Sequence, residues 1–160
     1  MSEQIDPRGQ QFAAAVTSAG LVAVLLTAPG PVGLLLLAAQ AALFATAVLR
    51  GVQRTPVAAL FRSVVRPRIG PPAHFEDAAP PRFAQGVGLV FVTLALAGFA
   101  VGADLVGYVA TAFALVAALL NATIGLCLGC EAYLIGRRVL AAPSSPDRSQ
   151  LTATGSRSNP

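Results

Sequence analysis

The sequence predicts an all-α protein that crosses a bilayer four times, as two helical hairpins, with a short amphipathic helix between them. Three observations predict it. Of 160 residues, 55% are hydrophobic and only 11% charged, and mean hydropathy is +0.69. A soluble domain carries about a quarter charged residues, so this chain has too little polar surface to coat a globule in water. Charge is also missing in long blocks: none lies between Arg8 and Arg50, none within residues 83–103, and a third run begins at Leu105 and continues past Leu126. Finally, the basic residues, all arginine, fall on one side of both hairpins. Arg50, Arg54, Arg62, Arg66, Arg68 and Arg82 lie in the central loop, Arg137, Arg138, Arg148 and Arg157 follow the last run, and Arg8 precedes the first.

The positive-inside rule then places both termini and the central loop in the cytoplasm, making the chain a multi-pass protein of the cell membrane. A pI near 10.0 would also suit nucleic-acid binding. No aromatic-interleaved basic patch accompanies these arginines, however, and membrane topology explains them better, so the lipid bilayer is the expected partner and nucleic acid is not.

At the N-terminus, Glu3 and Asp6 occupy the place of a signal peptide's basic region, and a second apolar run follows at once. The first run therefore reads as a retained span. Residues 12–27 and 32–49 are each near the roughly 17 to 25 needed to cross the hydrocarbon core, and Ala28-Pro29-Gly30-Pro31 turns the chain between them. In the central loop Thr55 is an N-cap and Pro56 a first helical residue. Val57, Leu60, Phe61 and Val64 then share one face, with Arg62 and Arg66 opposite. Such a helix lies in the membrane interface with Arg62 and Arg66 toward anionic headgroups, or it packs beneath the bundle. Pro67 is expected to end it, and residues 68–82 are too proline-rich for regular structure. The second hairpin turns at Asp104. Residues 1–138 form the membrane domain, and residues 139–160, rich in Ser, Thr and Pro, form a disordered cytoplasmic tail.

The chemistry centres on Cys127 and Cys130, the two cysteines of the chain. Two cysteines placed at random in this length fall three apart in roughly one case in eighty, so the spacing asks for a reason. Residues 105–135 read as one helix of about 31 residues, roughly 46 Å long against a core of about 30 Å, which puts the pair near the cytoplasmic interface. On that helix Asn121, Gly125 and Gly129 recur every four residues as a helix-packing seam, and the cysteines project largely from the opposite side.

Three readings of the pair compete. As a redox or sulfur-transfer pair, one thiol attacks and the other resolves, with Cys130, nearer the water, expected to attack first. Closing a disulfide from an undistorted helix requires local distortion, because Cβ atoms three residues apart stand about 5 to 6 Å from each other. Gly125 and Gly129 permit that distortion. A position toward a helix C-terminus works against a thiolate. As metal ligands the two sulfurs provide half a site, with only His74, Glu131 and Asp77 to complete it, so no metal is assigned to a single chain. As packing residues, both fill small apolar contacts. His74, the sole histidine, is expected to be a solvated ring in a loop. No phosphate-binding glycine loop and no Ser-His-Asp set is present, and no cofactor is expected.

Asp6-Pro7-Arg8, Arg66-Pro67-Arg68-Ile69-Gly70-Pro71-Pro72, Pro80-Pro81-Arg82-Phe83-Ala84-Gln85, and Asn121-Ala122 with the stretch from Gly125 to Tyr133 resemble domain-of-unknown-function family 4395 over residues 5–138. The resemblance implies a small, mainly actinobacterial integral membrane protein. Its relatives tend to be encoded near thioredoxin-like and thiosulfate sulfurtransferase proteins, which implies a soluble partner of one of those kinds. In architecture alone the chain is similar to four-helix membrane oxidoreductases that pass electrons between thiols and quinone. It departs from them in lacking a second cysteine pair and in carrying its one pair on the arginine side, which disfavours disulfide generation for exported proteins. The expected function is thiol redox or sulfane-sulfur relay through Cys127 and Cys130. The alternative is a non-catalytic membrane scaffold whose cysteines pack or share a metal.

Overall fold

Asp6 starts the first long helix: its carboxylate accepts the Arg8 backbone N–H at 3.0 Å, and Pro7 supplies a first helical residue that needs no N–H partner. In this computed structural model, which describes residues 4–72 and 74–140, that helix, α1, runs Pro7–Thr27 and its hairpin partner α2 runs Pro31–Arg50. The tail expected beyond residue 138 lies almost wholly outside the described residues. The second hairpin consists of α5, Ala79–Ala100, and α6, Asp104–Ile124. All four helices are long and apolar enough to cross a membrane.

They pack in a closed ring, α1 on α2, α2 on α5, α5 on α6 and α6 back on α1. Leu21, Val24, Leu37 and Val92 are fully enclosed at its centre. The outer surface is as apolar as the core, with Leu26 80% and Leu49 78% exposed. Lipid is the solvent that accepts such a surface, because α-helices leave no backbone group unpaired toward it. The protein is therefore a multi-pass membrane protein. Since lipid tails are as apolar as leucine, close packing holds such helices together. Accordingly, a Cβ at Gly98 would come within 2.9 Å of the Gly107 nitrogen, and one at Gly107 would meet the Phe99 ring at 2.6 Å. At the same end Tyr108 donates its hydroxyl to the Ala28 carbonyl at 2.6 Å and so joins the two hairpin turns.

The opposite end gathers the described arginines, and there the structure is richer than expected. Gln4–Ile5 (β1) pairs antiparallel with Glu76–Asp77 (β2), so the proline-rich loop does contain regular structure. Helix α5 begins at Ala79 rather than at Phe83, because Pro80 and Pro81 fall in the first turn, where N–H groups have no intrahelical partner in any case. Between the hairpins a 3₁₀ turn, Val52–Arg54, leads to Thr55, whose hydroxyl accepts the Ala58 N–H at 3.1 Å and caps α3, Pro56–Leu60.

Pro67 does not end this helix. The chain widens into a π-turn over Phe61–Val65, with the Arg66 N–H reaching the Phe61 carbonyl, and continues as α4, Arg66–Ile69. A proline ring crowds the carbonyl four residues earlier, and a wider turn relieves that contact. Gly70, at φ 72°, makes the actual stop. Phe61 is buried against Phe12 at a ring distance of 5.7 Å, whereas Leu60 and Val64 stay exposed, as do Arg62 and Arg66. Arg8 holds the two parts together, donating to the Gly70 carbonyl at 3.0 Å while paired with Asp6 at 3.1 Å.

Candidate functional site

The last apolar run is not one helix. Gly125 adopts φ 71°, ψ 10°, the left-handed conformation that favours glycine, and its N–H bonds to the Asn121 carbonyl at 3.1 Å. Helix α6 stops at Ile124, and after a short link α7 runs Leu128–Leu140. This break corrects the seam expected of Asn121, Gly125 and Gly129, which do not share one continuous helix. Gly125 is the helix stop, packed so that a Cβ would stand 2.8 Å from the Gln11 amide nitrogen. Gly129 lies in α7 against α5, where a Cβ would come within 2.6 Å of Ala84. Tyr133 follows one turn later, its ring 5.6 Å from that of Phe83.

The break also moves the cysteines from the end of a helix to the start of one. Cys127 is the residue before α7: its carbonyl accepts the Glu131 N–H at 3.0 Å, and its sulfur accepts the Cys130 N–H at 3.3 Å. It thus takes the N-cap role usually filled by a serine or aspartate oxygen. Cys127 and Cys130 are joined in a disulfide with their Cα atoms 5.2 Å apart. The local distortion expected for closing the pair takes the form of the helix break at Gly125, which leaves Cys127 outside α7. The expectation that the pair meets the negative end of a helix dipole is reversed. Both sulfurs face the N-terminal, positive end of α7.

Cys127 borders two cavities of different character. One, of about 290 Å³, is the more polar of the two and is lined by both cysteines together with Arg8, Gln11, His74 and Glu76. His74 Nε2 stands 3.5 Å from Glu76 Oε1, and the histidine side chain is 67% exposed. The sole histidine, expected to be solvated in a loop, is open to solvent and also forms a wall of the cysteine cavity. Arg8 reaches that wall because α1 packs on α6, and Glu76 because β2 pairs with β1. No spacing along the chain announces either residue.

The other cavity, of about 270 Å³, is mostly apolar and runs from Cys127, Gln85 and Asn121 toward Phe91, Phe113 and Ala114. Gln85 and Asn121 line both spaces. Among the described residues no cluster of three His, Cys, Asp or Glu side chains could hold a metal ion.

Residues 5–138, from β1 to Arg138, match the profile of a domain of unknown function (DUF4395). The chain belongs to that family. The DUF4395 match encloses all four spans, the linking helix and the cysteine pair, so the site lies within the family's own domain. No curated protein and no solved structure matches the chain.

Proposed function

We propose that this DUF4395 protein is a membrane-bound thiol relay, in which Cys127 and Cys130 exchange electrons or sulfane sulfur with a soluble thioredoxin-like or sulfurtransferase protein. The observation that carries the proposal is the placement of Cys127 at the N-cap of α7, its sulfur accepting the Cys130 N–H, beside a polar cavity. Backbone N–H groups and the positive end of a helix stabilise a thiolate there. On that ground Cys127, rather than Cys130, is assigned the attacking role and Cys130 the resolving one.

In the dithiol state, Cys127 displaces one sulfur of a partner disulfide and forms a mixed disulfide. Cys130 then attacks the Cys127 sulfur, releasing the partner as a dithiol and leaving the Cys127–Cys130 disulfide. The steps run in reverse when the partner is the reductant. With a persulfide donor, Cys127 takes the outer sulfur, and attack by Cys130 releases it as hydrosulfide with the same disulfide formed. Arg8 and His74 line the same cavity as both cysteines, and in this reading they serve as a nearby cation and a proton acceptor for these steps. By the arginine distribution this end faces the cytoplasm.

The test is the Cys130→Ser variant in membranes, exposed separately to an aromatic disulfide and to a sulfane-sulfur donor. A long-lived adduct on Cys127, seen by mass spectrometry and absent from the wild type, is the expected result. Absence of any adduct under both treatments would defeat the thiol reading in favour of a structural disulfide.

A further inference from the structure

The wall between the two cavities points to a second substrate. We infer that the apolar cavity binds the ring of a lipid-soluble quinone against Cys127, so that the pair trades electrons with the bilayer as well as with a soluble protein. The inference rests on the thiol reading above for its chemistry but on a separate observation for its site.

That observation is the gradient along the cavity. At the arginine-rich end it is lined by Gln10, Gln85 and Asn121 together with Cys127. From Gln85 to Phe91 and from Asn121 to Phe113, at the helical rise, it extends about 9 to 12 Å into the span. Its far wall is aromatic, with the Phe91 and Phe113 rings 6.2 Å apart. Phe113 is also 61% exposed, so the aromatic end of the cavity is open to the surface within the span, where lipid lies. Its volume of about 270 Å³ compares with the roughly 150 Å³ that an apolar cavity needs for benzene, which leaves room for one substituted or fused ring. A lipid acyl chain would use the aromatic wall but would leave three amides and a sulfur facing hydrocarbon. A quinone uses all of them: amide N–H groups donate to its carbonyl oxygens, the rings stack, and a prenyl tail leaves past Phe113 into the bilayer.

The electron balance closes within the two partners. Cys127 thiolate adds to the bound quinone ring, Cys130 attacks the Cys127 sulfur, and the ring leaves as the hydroquinone. Two thiols lose two electrons and two protons, the quinone gains both, and the disulfide is formed. A soluble dithiol then regenerates the pair through the polar cavity.

The test uses the full chain in lipid nanodiscs with an azido-naphthoquinone as photoaffinity probe and a decyl-benzoquinone as competitor and oxidant. Labelling should concentrate on α5 and α6 residues lining the cavity and fall at least tenfold with excess decyl-benzoquinone. It should persist in the double Cys127→Ser, Cys130→Ser protein and be lost in Ala117→Phe, which fills the cavity from its wall. Should Ala117→Phe not fold, the competition in the unmodified chain decides alone. In the same discs, anaerobically reduced protein should produce one hydroquinone per disulfide formed. Labelling spread evenly over the lipid-facing surface, or indifferent to the competitor, would overturn the site, and an intact Cys127 adduct in the Cys130→Ser variant would show that the thiol reading survives it. Specific labelling with no hydroquinone formed would overturn the electron transfer.

Discussion

Cys127 and Cys130 are three residues apart and equally half-buried, yet only one of them sits where a helix begins. A thiolate at Cys127 gains the N–H of Cys130 and the dipole of α7, whereas Cys130 is already inside the helix with its own N–H directed at the other sulfur. Iodoacetamide should accordingly alkylate Cys127 in the Cys130→Ser variant at a lower pH than it alkylates Cys130 in the Cys127→Ser variant. Mass-spectrometric labelling profiles across pH read the order directly, and coincident profiles would remove the distinction between the two roles. Gly125 is the residue on which this geometry depends. A side chain at its left-handed φ costs about 1 to 2 kcal/mol, and the Cβ would also press on Gln11. Gly125→Ala should therefore lower the unfolding midpoint in detergent, while Gly136→Ala, in open space in the middle of α7, should hold or raise it.

The four spans were readable from the chain because a lipid-facing helix needs only length and the absence of charge, and both are properties of composition. The break within the last run was not, for a reason that lies in its residues. Gly125 is a proper stop signal, but the apolar sequence resumes immediately after it. The new helix then starts on a cysteine, a residue outside the usual capping set of Ser, Thr, Asp and Asn. The start of α7 thus carries no mark, and from the sequence the cysteine pair reads as lying toward the end of a helix. The linking helix was easier, since Thr55-Pro56 is an explicit start, but Pro67 misled because a π-turn can absorb a proline that a regular helix cannot. The apolar stripe of that helix serves two purposes, with Phe61 under α1 and Leu60 and Val64 outside. Phe61→Ala should destabilise the protein by about 3 kcal/mol, whereas Leu60→Ala should leave unfolding unchanged and reduce co-purifying anionic lipid together with Arg62→Gln and Arg66→Gln. Equal thermal shifts for Phe61→Ala and Leu60→Ala would contradict the division.

The ring of four spans separates an end that is rich in charge from one that is nearly free of it. Every described arginine lies at the first end, and Asp104 marks the other. The wall residues of the polar cavity come from α1, the loop before α5, α5 itself, the end of α6, the α6–α7 link and the start of α7, so the site exists only when both hairpins are docked. Nothing in the spacing of Arg8, His74 and Cys127 could reveal it. The proposed orientation, with the arginine-rich end in the cytoplasm, rests on the positive-inside rule alone. In a protein with Cys127 and Cys130 changed to Ser, a single cysteine at Arg54 should react with an impermeant maleimide only from the cytoplasmic side, and one at Val101 only from outside. The opposite pattern would reverse the compartment assigned to the soluble partner. Cys127 lines both cavities, and for the proposed relay that has a kinetic consequence. Two reactants that approach one atom through different doors, one from water and one from lipid, do not block each other's entry, yet they cannot both be bonded to it. Turnover must then alternate: the first product departs before the second reactant is transformed, double-reciprocal plots at several quinone concentrations run parallel, and an excess of neither reactant chokes the cycle.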